Sequence, residues 1–482
     1  MAICIQMEPT RKIRNIDLPA EPQCCQKSLQ DPLRWQACIG SNVILCMIVF
    51  IVNVALIFCV SLIIVAYVNI KLGPRDDTTR RVVCYYRWKI NSLEPSAVST
   101  SLLCTHLILS FATVGSDFQL NLTDVGGIAG VKQTTAYFRL DRVRYRVINE
   151  IRKKTKIRAR EDSDLFNSSE FRSVRVMLSV GGGGGNAHFA EMVGSHDNRN
   201  VFLKSCAEVI RITALDGLDF DWEFPGFRDR GQLATLLRDT SAMLSGIASN
   251  QSDPFELSIA IPGPFTLALG FDVREISRYC SFVNLMAYDL VLLNSVFRQT
   301  ALHSALHAQP SWWYIPFAVD FTVSFWLMLG LTRPMINLGI PTYGVGYELT
   351  NKYQTGLFSS VKGYLRMGAN VNYETICEIA KSQPIKTHRH EASGAPFIDD
   401  SNGTWISFDD PISITKKVEY ARTKGLGGIM IFSLNADDHA GKCGQQQFPL
   451  TMTAVKNWRI STSTPVRLNR TNESVSGRMR SL

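Results

Sequence analysis

Eight apolar runs of strand length constrain this chain more than any other feature. They read VVCYY (82–86), THLILSF (105–111), VRVMLSV (174–180), DGLDFDW (216–222), FELSIAI (255–261), FVNLMAY (282–288), MINLGIP (335–341) and GIMIFSL (428–434). Continuous apolar runs, rather than clean alternation, suit strands buried on both faces, as in a parallel sheet covered by helices. Stretches of helical length lie between them, at 140–155, 197–213, 230–249 and 412–424. Eight strands alternating with helices predict an α/β fold, a (β/α)₈ barrel in which catalytic groups gather at the C-terminal strand ends. An open doubly wound sheet is the alternative, but no Gly-x-Gly-x-x-Gly follows the first run. The interval 346–425 is too long for a plain connection and predicts a small inserted α+β subdomain. A further apolar stretch, 312–331, is interrupted by Pro316 and Asp320 and reads as a buried barrel helix.

Residues 43–68 break the globular pattern: they carry no charge, and Asn53 and Ser61 are their only clearly polar side chains. About 20 apolar residues span a bilayer, so a transmembrane signal-anchor helix is expected there, in contact with lipid. It divides a polar tail (1–42) from a short stem (69–79), the barrel (80–460) and a Ser/Thr/Arg-rich, disordered tail (461–482). Flanking charges do not settle orientation, since Lys27 and Arg34 precede the run while Lys71, Arg75, Arg80 and Arg81 follow it. Six Asn-x-Ser/Thr sequons, at Asn121, Asn167, Asn250, Asn402, Asn469 and Asn472, all lie after the run. Long domains cross largely regardless of flanking charge. The expectation is a single-pass type II membrane protein with a cytoplasmic tail, a lumenal or extracellular body and glycans at those sequons. The net charge of +9 is scattered, so no nucleic-acid partner is expected. The basic run 152–160 reads as a solvated helix end.

Within the fourth run, residues 216–223 read DGLDFDWE. Side chains alternate along a strand, so Asp219, Asp221 and Glu223 share one face while Leu218, Phe220 and Trp222 share the other. Three carboxylates on one face repel, which raises the proton affinity of at least one of them. A carboxylic acid kept protonated beside ionised partners is what acid-catalysed cleavage of a glycosidic bond requires.

Residues from about Arg80 to Trp458 resemble glycoside hydrolase family 18, in particular the animal chitinases and chitinase-like proteins. Asp216, Asp219, Asp221 and Glu223 match its D-x-x-D-x-D-x-E signature, which Gly217 accompanies; Ser179, Gly181 and Gly182 match S-x-G-G; Met286, Tyr288 and Asp289 match M-x-Y-D; and 339–344 (GIPTYG) matches the seventh strand. The resemblance implies that Glu223 is the acid, that Asp221 holds the acetamido group of the substrate, and that Asp219 shares a proton with Asp221. Tyr288 would hydrogen-bond the same sugar. It further implies substrate contacts from Tyr86, Phe111, Trp222, Met286, Asp289, Tyr343 and Phe432, and disulfides Cys84–Cys104 and Cys377–Cys443; Cys206 and Cys280 match neither and are read as buried free thiols. The implied substrate is chitin, a chito-oligosaccharide or a related N-acetylglucosamine glycan, cut by a monomeric domain without cofactor or metal. His303 with His307, and His388 with His390, lack a completing Glu- or Cys-bearing motif and are not expected to bind metal.

The departures from the pattern lie around the acid. Gly183 stands where active members carry Trp, Phe432 replaces the Trp of the eighth strand, Val345 replaces an Arg, and 291–295 replaces H-G-x-W. Aromatic rings supply much of the contact area for a sugar. Two readings therefore stand: a chitinase-type hydrolase, and a glycan-binding protein on an enzyme scaffold.

Overall fold

The computed structural model describes residues 80–87, 103–122, 174–213, 215–248, 254–294, 297–308, 312–382, 385–400, 402–444 and 446–459. The segments 1–42, 43–68, 69–79 and 461–482, the helical stretch 140–155, the basic run 152–160 and the sequons at Asn167, Asn250, Asn469 and Asn472 lie outside the described residues. Among the described residues no helix is long and apolar enough to cross a membrane.

Each apolar run contains one barrel strand. In chain order they are β1 (Arg81–Arg87), β2 (His106–Val114), the short β3 (Leu120–Asn121), β4 (Arg175–Gly181), β5 (Gly217–Asp221), β6 (Glu256–Pro262), β7 (Phe282–Met286) and β8 (Ile336–Pro341). The last, β15 (Gly428–Phe432), follows the insertion. All but β3 are parallel, in the spatial order β1-β15-β8-β7-β6-β5-β4-β2, and the pairing of β1 with β2 closes the barrel. β3 pairs antiparallel with β2 at the rim, an element the apolar pattern does not announce.

Strand alternation sorts the side chains into two layers. On β1, Val82, Cys84 and Tyr86 join the outer core that packs against helices, while Val83 and Tyr85 join the inner cluster. Helices α1 (Phe189–Gly194) and α2 (His196–Thr213) follow β4, α3 (Arg230–Ile247) follows β5, and α4 (Val273–Tyr279) follows β6. Asp272 caps α4 by accepting from the backbone N–H groups of Arg274 and Glu275. The apolar stretch after β7 folds as a 3₁₀ turn and α5 (Val319–Met328), which buries Val319, Thr322, Val323 and Trp326. The Trp326 indole donates to Pro262 O at 2.9 Å, docking α5 on the end of β6.

Between β8 and β15 a second, antiparallel sheet is built from β9 (Tyr343–Leu349), β10 (Val361–Tyr364), β11 (Asn370–Asn372), β12 (Lys386–Arg389), β13 (Pro396–Asp399) and β14 (Thr404–Ser407), with α6 (Tyr373–Ser382). Its last strand leads into α7 (Pro411–Lys424), which packs on β8 and β15 and on α8 (Pro449–Arg459). The start and stop of α7 follow from its sequence. Asp410 accepts from the N–H groups of Ile412 and Ser413, Pro411 occupies the first turn, and Gly425 closes the helix at φ 68°. A buried ion pair, Lys417 Nζ to Asp409 Oδ2 at 2.5 Å, ties α7 to the segment preceding it. Lys417 also donates to Ser304 Oγ at 2.7 Å, which in turn donates to Ala287 O at 2.7 Å, beside Tyr288. Disulfides join Cys84 to Cys104 and Cys377 to Cys443, and Cys206 and Cys280 are free and buried.

Candidate active site

The register of the barrel builds the site. Ser179 of β4 and Ser258 of β6 flank Asp219 of β5 at the same level. Both serines are fully buried, and their hydroxyls donate to Asp219 at 2.7 and 2.6 Å. Tyr85 donates to the same carboxylate at 2.8 Å and Asn284 at 3.3 Å. Asn284 also donates to Tyr85 Oη at 3.1 Å and accepts from Asn337 at 3.0 Å, so a satisfied polar layer crosses the barrel interior. Burial raises the proton affinity of Asp219 above the usual carboxylate range, and these donors offset only part of that rise.

Asp221, one alternation further on, is buried and differently served. Among the described residues its Oδ1 has no hydrogen-bond partner. Burial, then the charges of Glu223 and Asp219, hold its proton affinity well above the usual carboxylate range. Glu223 follows where the chain leaves the sheet. Burial, then the charge of Asp289, pushes its pKa up to about 7. A carboxyl that is half protonated at neutral pH is poised to give up a proton.

Aromatic groups surround these carboxyls. Phe432 stacks on Tyr288 with centroids 5.6 Å apart, and meets Tyr85 edge-on at 5.6 Å and Tyr343 at 6.3 Å. Phe111 lies 6.3 Å from both Tyr85 and Phe432, and Met286 joins the same inner cluster. Burial, then the charge of Asp221, raises the Tyr288 phenol well above its ordinary range, so it remains a neutral donor. Asp289, at φ 52°, meets His303 Nδ1 at 3.1 Å and the Tyr343 hydroxyl. Val345, in the place of the expected Arg, is fully buried on β9. Of three non-proline cis peptides, Ser110–Phe111 lies within β2, Glu223–Phe224 just after β5 and Phe432–Ser433 at the end of β15.

The remaining signature residues shape the backbone. Asp216 Oδ2 accepts from Val176 N at 2.7 Å, fixing the entry to β5. A Cβ on Gly217 would lie 2.0 Å from Glu256 O, and one on Gly181 would lie 2.0 Å from Asp221 O. Gly182, at φ 77°, faces the Phe111 ring. Gly183 is different: a Cβ there would meet nothing nearer than Glu223 Oε2 at 3.6 Å.

Two expected substrate contacts are corrected. Trp222 points outward and stacks on Phe189 of α1 at 5.2 Å with planes 15° apart. Tyr86 likewise lies in the outer layer. Both follow from alternation: the neighbours Asp221 and Tyr85 face inward, so Trp222 and Tyr86 cannot. Tyr85, Ser258, Asn284, Asn186 and His303 belong to the site or its support and were not expected from the sequence. His303 and His307 turn to Asp289 and Asp320, and His388 and His390 to Asp399 and Ser393, rather than to a shared centre.

Residues 81–437 match the family model for glycosyl hydrolases family 18. Mouse chitotriosidase-1 is 29% identical over 403 residues, covering 80% of this chain and 79% of the relative. Putative chitinase 1 of Margaritifera margaritifera is 27% identical over 392 residues, covering 77% and 75%. Among solved structures, the Ostrinia furnacalis Group IV chitinase in complex with allosamidin has a TM-score of 0.65 at 23% identity, over 78% of this chain and 98% of that one. Human YKL-39, described as a pseudo-chitinase with retained chitooligosaccharide binding, has a TM-score of 0.65 at 22% identity, over 78% and 99%.

Proposed function

Because the chain belongs to glycosyl hydrolase family 18, we propose that its barrel hydrolyses β-1,4-linked N-acetylglucosamine glycans by substrate-assisted, retaining catalysis. One observation carries this reading: Glu223, at about 7, stands beside a buried Asp221 whose Oδ1 has no partner among the described residues. Glu223 protonates the leaving glycosidic oxygen. The acetamido carbonyl of the sugar attacks its own anomeric carbon, and Asp221, once it has passed to Asp219 the proton the two share, accepts the acetamido N–H and balances the charge that develops. Asp219, held by four donors, shares a proton with Asp221 and keeps the charge of Asp221 available. Tyr288 donates to the same group, and Phe432 supplies an apolar floor. Labelled chito-oligosaccharides, assayed with the wild-type barrel and Glu223→Gln in parallel, test the reading; indistinguishable traces would sink it.

The pH dependence has a definite sign. Glu223 must carry its proton to act, and it loses that proton as pH rises through about 7. Turnover is therefore expected to hold at mildly acid pH and to fall about tenfold per pH unit well above 7. A rate that climbs between pH 7 and 9 would contradict the assignment.

The second reading, glycan binding with negligible turnover, is favoured by Gly183, which leaves the space beside Glu223 without a ring. It predicts oligosaccharide binding in both proteins and hydrolysis in neither.

The body is further proposed to lie outside the cytosol, anchored through 43–68 as a single-pass type II membrane protein. The unbroken apolar run supports the anchor, and two disulfides support an oxidising compartment. Asn402 is exposed in the turn between β13 and β14, with Thr404 completing the sequon. The full chain made in a secretory host is expected to carry glycan at Asn402, detected by mass spectrometry before and after enzymatic deglycosylation. An unmodified Asn402 alongside digestion of the barrel by protease added on the cytosolic side of sealed membranes would contradict that topology.

A further inference from the structure

The parallel ladder that carries the carboxyls stops short of the acid. β5 pairs with β4 as far as Gly181↔Asp221 and with β6 as far as Phe220↔Ile259. The last backbone link is Gly182 N to Asp221 O at 2.8 Å. Glu223 therefore has no neighbouring strand to take its backbone N–H and C=O, groups that a folded chain normally satisfies. The side chain of Asn186 takes both. Its Oδ1 accepts from Glu223 N at 3.2 Å, and its Nδ2 donates to Glu223 O at 3.1 Å and to Gly182 O at 3.0 Å. A primary amide offers the same donor and acceptor that the peptide of an adjacent strand would offer.

The glycine run explains how Asn186 arrives there. Gly185 N donates to Gly182 O at 2.9 Å, closing a tight turn in which a Cβ on Gly185 would lie 2.2 Å from Gly181 O. Three residues after Asn186, Phe189 stacks on Trp222. The segment from Gly182 to Phe189 thus grips both residues at the end of the acidic stretch, one by its ring and one by its backbone.

We propose that Asn186 is the positioning residue of Glu223, completing the sheet with a side chain so that the acid is held in its desolvated place. The inference rests on the reading of Glu223 as the acid, and its test has a readout that does not depend on turnover. The Glu223 carboxyl is followed by carbon-13 NMR titration of the intact protein in wild type and Asn186→Ala, with Glu223→Gln assigning the signal. Chito-oligosaccharide kinetics are measured on the same samples. In wild type the midpoint is expected near 7. In Asn186→Ala, Glu223 reaches water, the midpoint falls by about one unit or more toward the ordinary range, and kcat drops about ten- to hundredfold with KM within about twofold. A fallen midpoint in a protein whose wild type shows no turnover supports the positioning role and contradicts the hydrolase reading. An unchanged midpoint overturns the positioning role, whatever the kinetics do. Should Asn186→Ala fail to fold, Asn186→Ser is used, with the same expected direction and the same overturning result.

Discussion

Glu223→Gln is expected to retain oligosaccharide binding and to lower hydrolysis by about 10³-fold, within the range of about 10²–10⁴ that a positioned general acid supplies. The amide matches the carboxyl in size, so the surrounding rings keep their places, but it has no acidic proton to deliver. The substitution also removes a neighbour whose charge helps raise the proton affinity of Asp221. Asp221 is therefore expected to ionise at lower pH in the variant, and a carbon-13 titration of its carboxyl checks this independently of turnover. Loss of turnover with no change at Asp221 would separate the chemical role of Glu223 from its electrostatic one.

Asp221→Asn is expected to lower kcat by about 10²–10³-fold, the loss typical of removing one group aimed at developing charge. An asparagine still fills the site and still offers an oxygen to an acetamido N–H, but it cannot balance positive charge on the sugar ring. The same substitution is expected to leave the folded state no less stable, because it relieves a buried carboxyl placed between Asp219 and Glu223. Urea unfolding and steady-state kinetics on one preparation measure both halves. A variant that is active and destabilised would reverse the assignment, making Asp221 a structural residue.

The barrel could be read from the sequence because its strands are buried on both faces. Each therefore appears as a mostly apolar run without clean alternation, while closure is seen only in the pairing of β1 with β2. Short β3 at the rim had no such run. The acidic face of DGLDFDWE followed from alternation alone, and the same rule placed Trp222 outside, against the family expectation that it touches substrate. Tyr85 was equally accessible: Cys84 faces the helices, so the residue after it faces the site. Ser258 and Asn284 were visible as lone polar residues inside apolar runs, and the structure shows them donating to Asp219. Asn186 and the His303–Asp289 contact were not accessible in this way. The first depends on the geometry of a glycine turn and the second on two segments brought together only by the closed barrel, neither of which leaves a periodic trace.

Gly183 marks where family likeness and local structure part. A Cβ there is sterically acceptable, at 3.6 Å from Glu223 Oε2, so the missing ring is not forced by the backbone as the glycines at 181, 182 and 185 are. The carboxyls of the acidic stretch are all present, while the position beside Glu223 carries no ring.

The central claim, that this barrel cuts its glycan through the neighbouring acetamido group, is tested most directly by the anomeric form of the first product. Wild-type protein is incubated with N-acetylglucosamine tetramer, and newly formed reducing ends are followed by proton NMR before they mutarotate, with Glu223→Gln as control. The account predicts an initial excess of the β anomer from wild type and none from the variant; no new reducing ends from wild type, or an initial excess of the α anomer, would contradict it.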